Sequence, residues 1–490
     1  MTDLRPIHEA VFRSQPEERA AAITDVRGTI PAGLRGTFLR SGPGLMQVGN
    51  DALDFFDGHA LIAGVTFEDG AARFRSRFVR SPLYLEETAK KRLKKRRVFT
   101  NLPARWSNFF ALDLGNSAMH DVYAWGGKVV AGNDPGHFAL DARTLETLGP
   151  ERFGGAAAKG QEMGPMPYRD PKSGRLVGWI KKVGGASPDA LSFVELDERF
   201  AVVTQTPFHR LAASPVIVHD QRATERFYVA VEQAPRLSAA KAIWGATTIY
   251  ECFQTPPGAT ATLLLAPRGR DGALVRVPLP APLEVAFHVI NAFDEGEGRL
   301  VVDVVAYGGR IGFSAAAPKA LRDATGAHPT QGPLPTPTRL VVDTLAGRVL
   351  EHKKLGELPG EAPEVNDAVM GAPYRFAYFP TARPNADLPD RGGYFFYDGI
   401  SKLDVTTGAT RAWHADGEAV VSPVSFAARP GGGDEDDGWI LAYVLRATGA
   451  EVVVLDARAL EAGPVATLGL GTHLPGVSHV RFASDVMLSV

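Results

Sequence analysis

The stretch FALDARTLETLG (residues 138–149) carries a pattern that recurs along the chain and predicts its fold. An apolar run ends in an aspartate, a few turn residues follow, and a second run then begins. Aspartate suits the start of such a turn because its carboxylate accepts hydrogen bonds from backbone amides two or three residues further on. The stretch therefore predicts a β-hairpin with an aspartate at the end of its first strand.

The same pattern occurs four more times, the last of them fainter: LVVDTLAGRVLEHKKL (340–355), SKLDVTTGATRAWHA (401–415), VVVLDARALEAGPVATL (452–468) and FVELDERFAVV (193–203). Antiparallel hairpins that repeat at intervals of roughly 50–70 residues are typical of propeller blades. At about 70 residues per blade, the 490 residues would make about seven blades. A β-sandwich array is the alternative, but it does not explain the repeated aspartate turn, and a closed ring leaves no long exposed edge.

Other segments agree with an all-β chain. Short β-branched or aromatic runs bounded by turn residues predict further strands, at 226–233, 299–308, 393–399 and 438–445. We expect one domain over residues 1–490, with 1–25 as an N-terminal extension. The expected fold class is all-β, a seven-bladed β-propeller with a few helices and loops capping one face.

The best helix candidate is SPLYLEETAKKRLKKRRVF (81–99), which has acidic residues early and basic residues late, as the helix dipole favours. Seven basic residues lie between Lys90 and Arg97. They favour a solvated helix that caps the ring, because the helix lacks a strong apolar stripe. Transient contact with an anionic membrane is the alternative interpretation.

The composition excludes several classes of protein. The net charge of −2 gives no sign of a nucleic-acid partner, and no protein partner is indicated. The single cysteine, Cys252, excludes an intramolecular disulfide and is typical of a reducing compartment. We see neither a signal peptide nor a stretch of 18 apolar residues. The expected location is cytoplasmic.

Three of the twelve histidines stand out because each ends or interrupts an apolar run. They are His219, after SPVIV, His288, within EVAFHVINAFDE, and His479, within LPGVSHVRFASDV. A buried imidazole needs a hydrogen-bond partner or a metal. The inner strands of a propeller all line one axis, so three such histidines could meet there and bind a metal such as Fe(II), Zn(II) or Cu(II). Others, such as His328 and His352, lie in polar contexts and are predicted to be exposed.

An ordered set of motifs resembles the carotenoid cleavage oxygenase family almost from end to end. The set is IPAGLRGTFLRSGPGL (30–45), FFDGHALI (55–62), the 138–149 hairpin, VIVHDQRATERF (216–227), FHVINAFDE (287–295) and GEAPEVNDAVMGAPYRFAY (360–378). The family includes apocarotenoid and lignostilbene dioxygenases. The resemblance implies a seven-bladed propeller with one non-haem Fe(II) held by four histidines, which uses O₂ to cleave a carbon–carbon double bond of an apolar conjugated substrate.

The resemblance carries His219, His288 and His479 over as catalytic iron ligands and Glu361 as the carboxylate that orients His288. It fails at the fourth ligand, because the segment GPMPYRDPKSGRLVGW (164–179) puts Met166 where the family has histidine. We expect three-histidine ligation of one Fe²⁺, weakened or lost if nothing compensates. His59, His137 or the Met166 thioether could act as a replacement ligand.

Two further family positions have lost a carboxylate that hydrogen-bonds a ligand histidine. They appear as Asn133 and Ser422. Each such loss costs metal affinity on the order of 10–100-fold. The sequence therefore leaves three functions open: an Fe(II) oxygenase, an enzyme that isomerises or cyclises a polyene without oxygen, and a non-catalytic binder of an apolar ligand.

Overall fold

The computed structural model describes residues 5–133, 136–158, 160–183, 187–269, 272–307, 335–383 and 397–489. Seven antiparallel sheets surround one axis and form a β-propeller, which confirms the predicted fold class. The predicted strands at 226–233, 299–308 and 438–445 are present. Most of the one at 393–399 lies outside the described residues, as does His328.

The first twelve strands are β1 (Arg19–Ala22), β2 (Asp25–Gly28), β3 (Gly36–Ser41), β4 (Pro43–Leu45), β5 (Gln47–Val48), β6 (Asp51–Ala52), β7 (His59–Glu68), β8 (Ala71–Phe78), β9 (Asp121–Trp125), β10 (Lys128–Asn133), β11 (Gly136–Asp141) and β12 (Thr147–Glu151). The next twelve are β13 (Gln161–Met163), β14 (Tyr168–Arg169), β15 (Leu176–Lys182), β16 (Ala190–Leu196), β17 (Val202–Gln205), β18 (His209–Arg210), β19 (Val218–Ala223), β20 (Phe227–Glu232), β21 (Arg236–Leu237), β22 (Phe253–Gln254), β23 (Thr262–Pro267) and β24 (Val275–Pro278). The last are β25 (Val289–Asp294), β26 (Arg299–Ala306), β27 (Thr336–Asp343), β28 (Arg348–Lys354), β29 (Phe376–Thr381), β30 (Gly399–Asp404), β31 (Thr410–His414), β32 (Val420–Ala428), β33 (Gly438–Arg446), β34 (Gly449–Asp456), β35 (Pro464–Gly469) and β36 (His479–Ala483).

The helices are α1 (Arg5–Phe12), α2 (Pro82–Lys90) and α3 (Ala239–Trp244). Short 3₁₀ turns lie at Phe55–Asp57, Arg105–Asn108, Phe153–Gly155, Tyr250–Cys252, Asp367–Val369 and Leu460–Ala462. In the described part of the chain, no helix is both long and apolar enough to cross a bilayer.

The ring closes by pairing the two ends of the chain. In one blade, β36 lies innermost and pairs with β3, and in the neighbouring blade β2 adds to β35 as the outermost strand. The other blades follow chain order outward, for example β9 to β12 and β25 to β28. The middle strands of a blade, such as β33, are buried on both faces, whereas the outermost strand β28 is mostly exposed. The sequences of the middle strands are therefore continuous apolar runs and do not alternate between apolar and polar residues.

All five aspartate turns join neighbouring strands of a blade, as predicted. In the first, the carboxylate of Asp141 accepts hydrogen bonds from the backbone amides of Arg143, at 2.9 Å, and Thr144, at 2.8 Å. In the fainter copy, Asp197 accepts from the amides of Arg199 and Ala201, both at 2.8 Å. The repeated sequence pattern thus corresponds to repeated turns in which an aspartate accepts hydrogen bonds from backbone amides.

Replacing Asp141 with alanine should lower the free energy of unfolding by about 1 kcal/mol, since the turn loses these amide hydrogen bonds. Thermal unfolding of the variant beside Asp141→Asn measures the effect. Asparagine keeps an acceptor oxygen and should recover most of the loss, and equal melting points for the alanine variant and the wild type would contradict the role of the turn.

The predicted helix at 81–99 is only half correct. Helix α2 begins after Ser81, whose side chain accepts a hydrogen bond from the amide of Tyr84, and it ends where Lys91 takes a left-handed conformation at φ 50°. The basic run beyond it is not one solvated face. Arg96 and Arg97 are buried, and Arg97 forms an ion pair with Glu87 of α2.

A histidine cluster on the propeller axis

The three histidines singled out in the sequence lie where inner strands begin. His219 is in β19, His288 directly precedes β25, and His479 is the first residue of β36. Each strand is the innermost of its blade, at the axis. The Nε2 atoms of His219 and His288 are 3.3 Å apart, and the ring centroids of His288 and His479 are 5.4 Å apart. The structure therefore brings all three together.

A break in the strand register of β19 helps to orient the side chains of His219 and Asp220. Between Val218 and Gln221 the pairing of β19 with β20 shifts, so that His219 and Asp220 lie in an irregular segment. Such bulges turn a side chain away from its regular alternation. Asp220 accepts a hydrogen bond from the amide of Val289, at 2.9 Å, which ties this blade to the start of β25 in the next.

His288 has a carboxylate behind it. Its Nδ1 atom is hydrogen-bonded to Glu361, and the other oxygen of Glu361 accepts a hydrogen bond from the hydroxyl of Tyr307 at 2.6 Å. Burial by itself would lower the pKa of His288, but the charge and hydrogen bond of Glu361 outweigh it and raise the pKa. Because Nδ1 is engaged by the carboxylate, Nε2 is the nitrogen that faces the cluster.

A fourth ring belongs to the cluster, and sequence reasoning missed it. His120 directly precedes β9, and one nitrogen of each of His120, His219 and His479 lies within 4.8 Å of the others. A signal was present, because the His-Asp dipeptide at 120–121 repeats the one at 219–220. Asp121 accepts from the amide of Met166, at 3.1 Å, as Asp220 accepts from Val289.

Neither of the two histidines expected as replacements lies in the cluster. His59 is bound through Nε2 to Glu87 at 2.9 Å, and its ring packs edge-on against Tyr84. The ring of His137 is buried against Phe153, with the centroids 5.1 Å apart. The sequence left their positions undetermined, because both follow turn residues and precede apolar runs whose direction depends on blade packing.

The three positions that depart from the family have different surroundings. Met166 lies beside His288 and His479 on the wall of a cavity. Asn133, at the end of β10, is hydrogen-bonded through its side chain to His120. Ser422 accepts a hydrogen bond from the amide of Tyr443, at 2.9 Å, and donates to a backbone carbonyl.

The cluster is electrically neutral on three of its four rings at neutral pH. Burial lowers the pKa of His120 to about 4 and takes the pKa values of His219 and His479 well below the usual range. Neighbouring imidazoles add to the effect. A neutral imidazole has a free lone pair, so these side chains are in the form that binds a metal.

Two cavities adjoin the cluster. The axial cavity, of about 530 Å³, is polar and is lined by Met166, Asp220, Arg222, His288, His479 and Arg481, among others. The aromatic cavity, of about 450 Å³, lies beside the ring of Phe287, which is 5.4 Å from that of His219. Tyr250, Phe253 and Val285 also line it.

Buried charges surround the axial cavity. Burial raises the pKa of Glu364 to about 7, and the nearby carboxylate of Asp367 adds to the rise. Burial also raises the pKa of Asp121 to about 6. The Arg481 guanidinium faces all three of these carboxylates, and their charges raise its pKa despite burial. These charges make the cavity favourable for water and small polar molecules.

The nitrogen distances fit a metal ion. Two imidazole nitrogens each about 2.1 Å from one ion lie about 3 Å apart at right angles and about 4.2 Å apart when opposite. The 3.3 Å between His219 and His288 matches the first case. The nitrogens of His120, His219 and His479 all lie within 4.8 Å of one another, an upper limit close to the second case. Donors of this type suit Fe, Zn and Cu.

Fold and site together define a propeller with a cluster of histidines on its axis that could hold a metal ion. Residues 12–484 match the family described as retinal pigment epithelial membrane protein, RPE65. The chain belongs to this family, the carotenoid cleavage oxygenases.

Curated relatives and solved structures agree with this membership. The apocarotenoid-15,15'-oxygenase of Synechocystis sp. is 29% identical over 487 residues, which cover 96% of this chain and 95% of the relative. Isoeugenol monooxygenase of Pseudomonas putida is 25% identical, with 93% of each chain covered. The crystal structure of cobalt-substituted Synechocystis apocarotenoid oxygenase superposes with a TM-score of 0.89 at 28% identity, covering 98% of this chain and 99% of that one. That relative therefore accepts a metal ion.

Proposed function

We propose that the chain is a non-haem Fe(II)-dependent oxygenase that cleaves a carbon–carbon double bond of an apolar conjugated substrate into two carbonyl products. One observation carries this proposal: mostly neutral histidines converge on the axis directly beside an aromatic cavity. The names of its relatives, an apocarotenoid oxygenase and an isoeugenol monooxygenase, support a conjugated substrate.

His219, His288 and His479 would hold the metal. Bound Fe(II) would activate O₂ toward the alkene, whose two carbons supply the electrons that O₂ gains as it becomes the two carbonyl oxygens. The chain supplies orientation, because Glu361 holds the proton at Nδ1 of His288 and so keeps Nε2 directed at the cluster.

The aromatic cavity would bind and orient the substrate. Flat rings such as Phe287 and Tyr250 pack well against a planar conjugated system. Apolar walls also exclude bulk water from the side of the site where the alkene lies. No acid or base from the protein is required, since both oxygen atoms of the products come from O₂ or from exchange with water.

The test is turnover after anaerobic loading with Fe(II). Isoeugenol, a stilbene and an apocarotenal would each be incubated with and without O₂, and carbonyl products would be identified by mass spectrometry. We expect products only with O₂ and only after Fe(II) loading. Reaction with ¹⁸O₂ separates insertion of one oxygen atom from insertion of two.

The other outcomes identify the other two functions. Isomerised or cyclised product formed without O₂ would overturn the oxygenase and support the non-oxygenative enzyme. Substrate binding without product under every condition, including iron-loaded protein with O₂, would support the binder.

We also propose transient contact with an anionic lipid surface, which would supply an apolar substrate. Trp106, Phe110 and Trp244 have exposed fractions of 82%, 64% and 59%, and the ring of Phe109 joins them by packing against Trp244. The segment that carries Trp244 continues to Tyr250 in the aromatic cavity. Exposed apolar patches of this kind mark interaction sites, and the exposed basic residues after α2 favour negative headgroups.

Sedimentation with phosphatidylcholine–phosphatidylglycerol vesicles tests this contact. The double variant Trp106→Ala with Phe110→Ala should bind vesicles less than the wild type. The control is Leu345→Ala, which removes an equally exposed apolar side chain on the β27–β28 turn. Equal losses in both variants, or none in either, would overturn the assignment of the patch.

A further inference from the structure

At the proposed metal centre, Met166 stands where the family has a ligand, and one histidine, His120, has no assigned role. Met166 occupies the position at which family members carry a ligand, and a thioether is a poor match for Fe(II). His120, which no family motif in the sequence assigns, lies with its ring 4.8 Å from that of His219 and 5.3 Å from that of His479. The two departures lie on different blades but face the same cluster.

We propose that His120 is the fourth metal ligand, so that the ligand position has moved from Met166 to the neighbouring blade, and that Asn133 is the positioning residue that holds it. This inference rests on the proposed function only in requiring that the site binds a metal. The nitrogens of His120, His219 and His479 already lie within 4.8 Å of one another.

Asn133 completes the arrangement. Its side chain is hydrogen-bonded to the ring of His120, and an amide oxygen can accept from one ring N–H while leaving the other nitrogen free for a metal. The family has a carboxylate at this position. Asparagine therefore keeps the orienting acceptor for the relocated ring but removes one negative charge from the surroundings of the ion.

Moving the ligand from Met166 to His120 would also change which side of the metal site is open. Met166 lies on the wall of the axial cavity with His288 and His479, whereas His120 does not line that cavity. With His120 as a ligand, the wall of the polar cavity keeps His288 and His479 but has Met166 where the family has a third histidine. An open position there would be reached by water and other small polar molecules, while the apolar substrate lies on the side of Phe287.

The backbone at Met166 still suits a histidine. Its φ of 62° is left-handed, a region in which histidine is several times more common than most side chains. A histidine restored at this position should therefore fit without strain. This makes a rescue experiment possible.

The experiment is anaerobic titration of metal-free protein with Co(II), followed by its visible absorption bands. His120→Ala should weaken binding by more than about 100-fold and change the bands, since loss of a ligand exceeds the 10–100-fold effect of an outer partner. Asn133→Ala should weaken binding by about 10-fold, and Met166→Ala should leave it unchanged. His120→Ala combined with Met166→His should recover most of the affinity.

His137→Ala is the matched control, because it removes a buried histidine of the same blade that lies outside the cluster. It should bind Co(II) as the wild type does, and thermal unfolding would show that each variant is folded. Unchanged affinity and bands in folded His120→Ala, or a loss in Met166→Ala equal to that in His120→Ala, would overturn the relocation while leaving a metal centre. No Co(II) binding by the wild type would overturn both proposals. Metal binding through His120 without oxygen-dependent turnover would uphold the relocation and overturn only the oxygenase.

Discussion

Replacing His288 with alanine is expected to abolish Fe(II)-dependent turnover, because the cluster loses the ring that stands 3.3 Å from His219. It is also the only one of the four rings for which the described structure shows a carboxylate partner, Glu361. Oxygen uptake after anaerobic Fe(II) loading, together with iron retained through gel filtration, measures the loss. Iron retention in the variant equal to that of the wild type would contradict the assignment of His288.

Glu361→Gln separates the ligand from its support. The amide keeps an acceptor for Nδ1–H but loses the charge, so metal affinity should fall by about 10–100-fold rather than disappear. Tyr307, which donates to Glu361 at 2.6 Å, offers a further comparison, since Tyr307→Phe removes the hydroxyl that makes this hydrogen bond. A Glu361→Gln variant as damaged as His288→Ala would show that the carboxylate does more than orient the ring.

The second large effect concerns stability. Glu87→Ala should lower the free energy of unfolding by roughly 3–5 kcal/mol, because it leaves the buried guanidinium of Arg97 without its carboxylate. Arg97 donates to Glu87 at 2.6 Å, His59 is 2.9 Å away, and the amide of Lys94 donates at 2.7 Å. The measurement is thermal or denaturant unfolding of the variant beside the wild type.

The matched control lies one residue earlier on the same helix. Glu86 forms an exposed ion pair with Lys90, at 2.6 Å, and Glu86→Ala should cost no more than about 0.5 kcal/mol. Equal destabilisation by both substitutions would contradict the claim that burial of the pair is decisive.

The same network should make stability depend on pH. Burial alone would raise the pKa of Glu87, but hydrogen bonds from His59 and Arg97 lower it to about 2, below the ordinary 4.5. A carboxyl group with a lowered pKa stabilises the fold above its unfolded value and loses that contribution as the pH falls. The stability gap between wild type and Glu87→Gln should therefore be constant above about pH 5 and shrink between about pH 4.5 and pH 2. A gap that does not change over this range would contradict the lowered pKa.

The fold could be predicted from the sequence because its hairpin pattern repeats. Each aspartate turn, such as that of Asp141, is a local feature that depends on two or three neighbouring residues. Three members of the cluster were also readable, since His219, His288 and His479 interrupt or end apolar runs and match family motifs.

His120 was not found, because its one signal in the sequence, the His-Asp dipeptide that it shares with residues 219–220, is too short to indicate by itself that the residue lies at the axis. Only the packing of neighbouring blades shows that its ring points at the axis. The same limit applied to Arg96 and Arg97, which belong to a basic run that looks solvated but are buried. Arg96 donates to the backbone carbonyls of Ala242 and Thr247, at 2.6 Å each, contacts that no local pattern encodes.

We expect the histidine cluster to bind a metal ion although Met166 replaces a family ligand. The most direct measurement is the metal content of wild-type protein, purified without a metal-binding tag, by plasma mass spectrometry before and after anaerobic Fe(II) loading. We predict close to one iron per chain after loading. Little or no bound metal of any kind, in folded protein, would contradict metal binding by the cluster and leave a metal-free function for the propeller.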